Sequence, residues 1–121
     1  MSKGPSDNST VRGRVGERLA SDYLEEKGYT IEYANYRHGR AEIDLIVRKA
    51  ELLVFVEVKY RKSTVFGYPE DFVNKHKQMM ILRGADHYIM EKNWLGDIRF
   101  DIVSVVDSNS KPLIEHFEDC F

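Results

Sequence analysis

The sequence has very little cysteine, and its apolar runs are short. Cys120 is the single cysteine among 121 residues, so no disulfide can form within the chain. No apolar stretch approaches the roughly 20 residues that a transmembrane helix needs. The polar N-terminus MSKGPSDNST lacks the apolar segment of a secretory signal. We therefore expect a cytoplasmic protein with no membrane-spanning segment, because disulfides mark oxidising compartments.

The chain also lacks an excess of positive charge. It carries 18 Lys and Arg against 20 Asp and Glu, a formal net charge of −2. A strong general binder of nucleic acid is usually basic overall, so this balance argues against that class. The bases nevertheless cluster at residues 37–40, 59–62 and 75–77. The sequence contains no glycine-rich phosphate loop, no Cys/His zinc spacing and no Ser-His-Asp order.

Residues 41–61, AEIDLIVRKAELLVFVEVKYR, are the most informative stretch. Two runs, Ile43–Val47 and Leu52–Val58, are rich in Ile, Val, Leu and Phe, which favour strands. The polar residues between the runs predict a hairpin whose turn centres on Ala50–Glu51. Apolar side chains occupy both faces of the second run. That strand is therefore predicted to be covered on both sides and to lie centrally in a sheet.

The period of a strand places four charged side chains together on this hairpin. Glu42 and Asp44 share a face of the first strand, and Glu57 and Lys59 share a face of the second. A turn at residues 50–51 puts Asp44 opposite Glu57 and Glu42 opposite Lys59. Opposed like charges destabilise a ladder, and buried carboxylates are rare without a partner. This face therefore needs a cation or neighbouring bases.

Two interpretations of the charged face remain open. The first is a divalent-metal site, since paired carboxylate oxygens suit Mg²⁺ or Mn²⁺. A lysine beside such a pair can stabilise developing negative charge or position a water. The second is a surface hairpin with a solvated charged face. The expected burial of the second strand disfavours it, and a basic rim around an acidic centre suits a metal-dependent enzyme acting on a polyanion.

Each predicted helix carries one charged residue beside its apolar stripe. The first helix is predicted from Ser9–Thr10 to Gly28, and Glu17 lies at the margin of its stripe. An acidic residue there can also serve the helix dipole alone. On the second helix Lys77 falls within the stripe, which is uncommon unless the lysine reaches a partner. If Asn74 caps this helix, Lys77 lies in the first turn, where backbone amides favour phosphate.

The remaining pattern predicts a flexible tail, residues 1–8, and a single domain, residues 9–121. Its further elements are a strand over 29–36, an aromatic loop over 60–68, a second helix from Pro69 or Asn74 to Lys92, a strand over 98–106 and an edge strand over 112–117. This order favours an α/β or α+β fold with a mixed central sheet flanked by helices.

The ordered motifs also resemble a known family. Asp44 followed by Glu57-Val58-Lys59 resembles the PD-(D/E)xK nuclease superfamily. The fuller set, Asn35-Tyr36-Arg37, then AEIDLI, then FVEVKYR, is similar to the YraN family of uncharacterised endonuclease-like bacterial proteins. The likeness runs from about Gly16 to Val106. It implies a restriction-endonuclease-like core of αβββαβ order.

The resemblance also implies a catalytic set. Asp44, Glu57 and the carbonyl of Val58 would bind Mg²⁺ or Mn²⁺. Glu17, part of a Gly-Glu pair that the family also carries, would complete the site directly or through water. Lys59 would orient the attacking water or stabilise the charge that develops on phosphate. The implied protein is a metal-dependent endonuclease-like hydrolase of DNA phosphodiester bonds.

Arg37, Arg61 and Lys77 are the candidate contacts to nucleic acid. The two arginines flank the hairpin, and Lys77 belongs to a Lys-Gln pair that the family carries. The expected substrate is DNA rather than RNA, with branched or damaged DNA as a candidate class, and a homodimer is an expectation by analogy with junction-cutting enzymes. Two alternatives stay open: a non-catalytic nucleic-acid-binding module on the same fold, and a metal hydrolase of a small anionic substrate.

Overall fold

The computed structural model describes residues 5–61, 73–106 and 111–121, and for residues 5–12 the backbone alone. Its elements are α1 (Pro5–Glu26), β1 (Thr30–His38), β2 (Ala41–Lys49), β3 (Leu52–Arg61), α2 (Lys75–Lys92), β4 (Asp97–Val106) and β5 (Leu113–Phe117). The predicted αβββαβ order is confirmed, with the edge strand β5 added after it. No helix in the described ranges is long and apolar enough to cross a membrane.

The five strands form one mixed sheet in the order β1-β2-β3-β4-β5. β3 is central, because it pairs antiparallel with β2 and parallel with β4. The predicted hairpin register is confirmed, since Leu45 pairs with Val56 and Lys49 with Leu52. This mixed sheet with two helices is consistent with a restriction-endonuclease-like core.

The core has two layers, one on each face of the sheet. Leu53 and Phe55 of β3 pack in the layer beneath α2, whereas Val54 and Val56 pack in the layer beneath α1. All four side chains are at most 1% exposed. Full burial of such a side chain contributes about 1.5–3 kcal/mol. The predicted covering of β3 on both faces is therefore confirmed. The tightly packed apolar half of the strand fixes the position of its polar end.

The first helix begins earlier than its sequence predicted. It starts at Pro5 instead of at a Ser9 or Thr10 cap, so the part of the expected tail that the structure describes is helical. Proline suits the first turn of a helix, where its missing N–H is not needed. Ser9 and Thr10 then simply continue the helix. Residues 1–4, most of the loop predicted over 60–68 and the alternative helix start at Pro69 lie outside the described residues.

The buried face of α1 is rotated slightly from the predicted stripe. Helical spacing predicts an apolar stripe of Val15, Leu19, Ala20, Tyr23 and Leu24. Ala20 and Leu24 are fully buried as predicted, but Val15 is 42% exposed. Gly16 takes the buried place one residue later, and it faces Tyr60 of β3. A glycine there lets α1 approach the strand closely, and this approach brings the next residue, Glu17, towards the end of β3.

This close approach predicts opposite effects for two alanine substitutions in α1. A Cβ added at Gly16 would lie 2.8 Å from Tyr60 Cβ, whereas a Cβ added at Gly13 would meet nothing within 4 Å. Gly16→Ala should therefore lower the free energy of unfolding by about 1–3 kcal/mol. Gly13→Ala should raise it by about 0.5–1 kcal/mol, since alanine is the better helix former. Urea denaturation of the two variants measures both effects, and a stabilised Gly16→Ala protein would contradict the close packing.

Candidate active site

One pocket of about 380 Å³ opens where β2 and the second half of β3 approach α1 and the first turn of α2. We call it the carboxylate pocket. Its lining residues are Gly13, Glu17, Asp44, Glu57, Val58, Lys59, Tyr60 and Lys77. It therefore brings together all the residues predicted as catalytic or metal-binding, together with Lys77.

A local break in β2 turns Asp44 towards this pocket. Ile43 and Ile46 pack in the same core layer, although residues three apart lie on opposite faces of a regular strand. The face therefore changes between them. The β2–β3 ladder ends at Leu45, and Asp44 Oδ2 accepts the backbone N–H of Val58 at 2.8 Å. The side chain of Asp44 thus takes the place of a ladder carbonyl.

The break in β2 is matched by a break in β1. Asn35 lies across from Asp44, between the pairs Ala34–Leu45 and Tyr36–Ile43. Its φ of 57° is left-handed, a conformation that Asn tolerates better than most residues. Its Nδ2 donates to Glu17 Oε1 at 3.0 Å. The irregular strand therefore also orients the carboxylate that α1 contributes.

Glu57 is the most buried charged residue of the pocket. Its side chain is only 3% exposed, and two ammonium groups approach its Oε2. Lys77 Nζ lies 2.9 Å from this oxygen and Lys59 Nζ lies 3.6 Å from it. Among the described residues its second oxygen, Oε1, is buried without a hydrogen-bond partner. An ionised oxygen in that state lacks a positive neighbour or donor, which a bound cation would provide.

The carboxylates of the pocket disfavour one another's ionised forms. Burial, together with the charges of Glu57 and Glu17, raises the pKa of Asp44 to about 7. Burial and the charges of Glu42 and Glu57 also raise the pKa of Glu17 above its ordinary value, against the lowering effect of the Asn35 hydrogen bond. The pocket therefore has an unmet demand for positive charge at neutral pH.

Lys77 answers part of that demand. Burial disfavours its ammonium form, but the hydrogen bond that it donates to Glu57 and the charges of Glu57, Asp44 and Glu42 outweigh burial and raise its pKa. Asn74 caps α2, and its Oδ1 accepts the backbone N–H of Lys77 at 2.8 Å. The first turn of α2 thus holds this lysine beside the carboxylates.

Similarity to known proteins gives the family. A family model described as "Uncharacterised protein family UPF0102" matches residues 16–105. The chain belongs to the UPF0102 family. It is 41% identical to a UPF0102 protein of Flavobacterium psychrophilum over 109 residues, which are 90% of this chain and 92% of that one. It is 45% identical to one of Cytophaga hutchinsonii over 94 residues, which are 78% and 83% of the two chains. The YraN resemblance is thereby confirmed.

The UPF0102 match covers every residue that lines the carboxylate pocket except Gly13. Not every predicted site residue lies in that pocket. Arg37 is 73% exposed and pairs with Glu42 at 3.3 Å. Arg61 is the last residue of β3 and does not line the pocket. Glu42 does not line it either, although its charge contributes to the raised pKa values of Glu17 and Lys77.

The role of Asn35 in this UPF0102 chain was not predicted from its sequence. Asn35 entered the prediction only as the first residue of the motif Asn35-Tyr36-Arg37. A signal was present, since Asn is disfavoured within strands and enriched at left-handed positions. An Asn between Ala34 and Tyr36 in the middle of a strand could therefore have been interpreted as a local break.

A divalent cation fits the carboxylate pocket. Across residues 5–61, 73–106 and 111–121, no group of three or more His, Cys, Asp or Glu side chains is placed to hold a metal ion. Mg²⁺ does not require one, because it keeps several waters and is often bound through one or two carboxylates plus substrate phosphate. Asp44 and Glu57, with its unpartnered Oε1, supply such a pair. The N–H of Val58 points to β2, and since a strand residue directs its N–H and C=O to the same side, its carbonyl does too.

Asp44→Asn should separate a metal site from a structural ion pair in this UPF0102 protein. The folded pKa of Asp44, about 7, lies above its ordinary value of 3.8, so wild-type stability without metal falls as pH rises between these values. In chelator near pH 8 the variant should therefore be more stable by roughly 1–3 kcal/mol, and this gain should shrink towards pH 4. Asn keeps an oxygen to accept the Val58 N–H.

Manganese supplies the second half of this test. At a hundredfold excess over its dissociation constant, an ion that binds only the folded state adds about 2.7 kcal/mol. Thermal melts should show this shift in wild type, a smaller one with magnesium, and little in Asp44→Asn. Glu42→Gln, an exposed carboxylate outside the pocket, is the control and should keep the full shift. A variant that melts lower in chelator, with no metal effect in either protein, would instead indicate a structural charge cluster.

Proposed function

We propose that this UPF0102 protein is a metal-dependent hydrolase of DNA phosphodiester bonds. The observation that carries the proposal is the buried carboxylate of Glu57, which shares one pocket with Asp44 and has both Lys59 and Lys77 beside it. Paired carboxylates with adjacent ammonium groups serve the two needs of phosphodiester hydrolysis, a bound cation and neutralisation of charge on phosphate.

In this proposal Asp44 and Glu57 hold the cation, and the Val58 carbonyl and Glu17 add oxygens directly or through water. When bound, Mg²⁺ or Mn²⁺ supplies Lewis-acid stabilisation of the phosphate oxygens. Lys59 orients the attacking water or stabilises the negative charge that grows on phosphate. Asn35 keeps Glu17 directed into the pocket through its 3.0 Å hydrogen bond.

Lys77 has a second task in the proposal. In the structure it neutralises Glu57 Oε2, and it also lines an adjoining cavity together with Asn74 and Arg40. A lysine at the boundary of two cavities can transfer its hydrogen bond from the carboxylate to an incoming phosphate. Arg61 and Arg37, which lie outside the carboxylate pocket, are proposed only as peripheral phosphate contacts.

A cleavage assay tests the proposed activity. Linear, nicked, flapped and four-way DNA are incubated with the protein in manganese, in magnesium and in chelator. We expect metal-dependent fragments, and branched DNA is the candidate class for the fastest cleavage. Glu57→Gln removes one metal-binding charge with little change of shape and should abolish the fragments. The proposal fails if no DNA is cut with metal, or if cutting persists in chelator or in Glu57→Gln.

One observation favours a second function, a non-catalytic nucleic-acid-binding module. The 2.9 Å pair between Lys77 and Glu57 already neutralises much of the buried charge without a metal ion. If that pair is permanent, the pocket is a structural feature beside a binding surface. Such a protein shifts DNA in a gel without cutting it, and it shows no manganese shift in the melts described above.

A further inference from the structure

A larger cavity adjoins the carboxylate pocket and has no part in the hydrolytic chemistry described so far. It measures about 660 Å³ and lies between the β1–β2 turn and α2. A smaller cavity of about 290 Å³ connects the two: it shares Lys77 with the carboxylate pocket, and Arg40, His76 and Met80 with the larger cavity. Through these shared residues the three cavities follow one another from the carboxylates along α2. We call the part beyond Lys77 the basic groove.

The basic groove takes its name from two arginines, Arg40 and Arg83, that line it beyond Lys77. Arg40, His76 and Arg83 line it, and no salt bridge joins any of them to another described residue. Acidic groups are present at two points, Glu42 in the connecting cavity and Asp86 in the larger one. Glu42 is paired with an arginine outside the groove. The groove therefore offers positive charge to an external anion.

The spacing along α2 fits a chain of anions instead of a single one. His76, Met80 and Arg83 are at positions i, i+4 and i+7, so they lie on one face of the helix. The rise of 1.5 Å per residue separates His76 from Arg83 by about 10 Å along the axis. A nucleic-acid strand carries one phosphate per 3.4 Å of duplex axis. Phosphates of a single strand lie further apart than this duplex rise, and a length of about 10 Å still accommodates more than one of them.

The far end of the groove provides an aromatic surface. His38 lines the larger cavity and stacks on His87, with ring centroids 3.5 Å apart and planes 11° from parallel. His87 Nδ1 is in turn 2.6 Å from the hydroxyl of Tyr36, which fixes the pair. A held ring at the end of a cationic groove is suited to stacking with an unpaired base.

We infer that the basic groove binds a single-stranded segment of nucleic acid, with Arg40 and Arg83 on its phosphates and His38 against one of its bases. The inference deepens the proposed function and rests on it in one respect. Lys77, which lines both cavities, would contact the strand where it passes from the basic groove to the carboxylates. The inference names which part of a branched or flapped substrate the protein recognises. An acidic protein segment could use the arginines but would gain nothing from the stacked histidines.

Binding without cleavage tests the groove. The full chain is titrated in chelator against a fluorescently labelled single strand of about 12 nucleotides, a length within the usual site size, at several salt concentrations. In Arg40→Ala/Arg83→Ala, affinity should fall about tenfold at low salt, and the slope of log K against log salt should flatten by about 1.4, since each lost phosphate contact accounts for about 0.7.

The control removes the same charge near the opposite end of α2, from Lys92 of α2 and Arg48 of β2. Arg48 and Lys92 line a separate cavity together, so Arg48→Ala/Lys92→Ala matches the net charge of the test variant. Its affinity should stay within about twofold of wild type and its salt slope within about 0.3.

His38→Ala should weaken binding while leaving the salt slope unchanged, because stacking releases no counterions.

Three outcomes would overturn the proposed groove. The first two are an equal loss of affinity in the test and control double variants, and no binding of the strand by wild type at low salt. The third is that polyglutamate displaces the labelled strand at the same concentration of charge as unlabelled strand does. The proposed hydrolase is judged separately. Loss of binding in the arginine variant of a protein that cuts no DNA supports the groove and refutes the hydrolase. A wild type that cuts flapped DNA, with an unchanged KM in the arginine variant, supports the hydrolase and refutes the groove.

Discussion

Lys59→Ala should reduce DNA cleavage in manganese by at least about 100-fold, the usual effect of removing one group that stabilises charge in the transition state. Lys59 Nζ lies 3.6 Å from Glu57 Oε2, and its side chain is 28% exposed at the pocket. It is therefore close enough to serve a phosphate beside the carboxylates and open enough to reach it. An ammonium group cannot ligate a metal, so the manganese shift in thermal melts should persist in the variant.

Two measurements make this prediction specific. Single-turnover cleavage separates the chemical step from DNA binding, and the loss should appear in the rate at saturating enzyme, with affinity changed only a few-fold. Lys92→Ala removes a lysine from the last turn of α2 and should cleave at the wild-type rate. Cleavage by Lys59→Ala at the wild-type rate would exclude this lysine from the mechanism, and loss of the manganese shift would mean that Lys59 instead shapes the metal site.

The hairpin could be predicted from the sequence because its geometry is local. A turn at Ala50–Glu51 and a period of two suffice to set the register, and the observed pair Leu45–Val56 follows from them. Ala50 adopts a φ of 54° at this turn. The bounds were less accurate, since β2 and β3 extend beyond their apolar runs as Ala41–Lys49 and Leu52–Arg61. Hydrogen bonding to neighbours carries a strand past the point where its hydrophobic pattern stops.

The candidate site was predictable in its members but not in its geometry. The charged pair Asp44 and Glu57 stood out because opposed carboxylates are costly in a sheet. Regular alternation also places Glu42 beside them, whereas Glu42 does not line the pocket and Asp44 lies at a break in β2. The break depends on Asn35 in another strand and on the contact between Asp44 and the Val58 amide. Contacts between separate strands cannot be inferred from the periodicity of one.

The basic groove was harder still to anticipate. Arg40 and His76 belong to the basic clusters at residues 37–40 and 75–77, whereas no sequence pattern singles out Arg83. His76 and Arg83 line the same cavity as Arg40 because α2 packs over β2. In this packing Gly84 lies against Ala41 and Ile43. A residue pattern shows which face of a helix is buried. It does not show which turn that helix will cover.

Asp101→Asn should lower the free energy of unfolding by about 3–5 kcal/mol, the usual result of breaking a buried charge network by removing one partner. The side chain of Asp101 is fully buried in β4. Its Oδ2 lies 2.8 Å from Arg99 and 2.7 Å from His116 of β5, and its Oδ1 accepts the backbone N–H of Asp119 at 3.1 Å. Arg99 and Asp101 thus anchor the C-terminal segment to the sheet.

The dependence on pH follows from the same contacts. Burial alone would raise the pKa of Asp101, but the hydrogen bonds from His116, Arg99 and the Asp119 amide outweigh it, and the pKa is lowered. A lowered carboxyl pKa gives stability that is present above the unfolded value, near 3.8, and is lost as pH falls through the folded value. The difference between wild type and Asp101→Asn should therefore be constant at neutral pH and narrow below about pH 4.

Urea denaturation of wild type and variant over this pH range measures the effect. Glu118→Gln is the matched control, because Glu118 also pairs with Arg99, at 3.6 Å, but is 53% exposed. An exposed pair contributes little, so this variant should stay within about 0.5 kcal/mol of wild type. Similar losses in the two variants would mean that the charge of Arg99, and not the buried network, carries the stability. A loss in Asp101→Asn alone would show that the C-terminal segment is held through the carboxylate at the centre of β4.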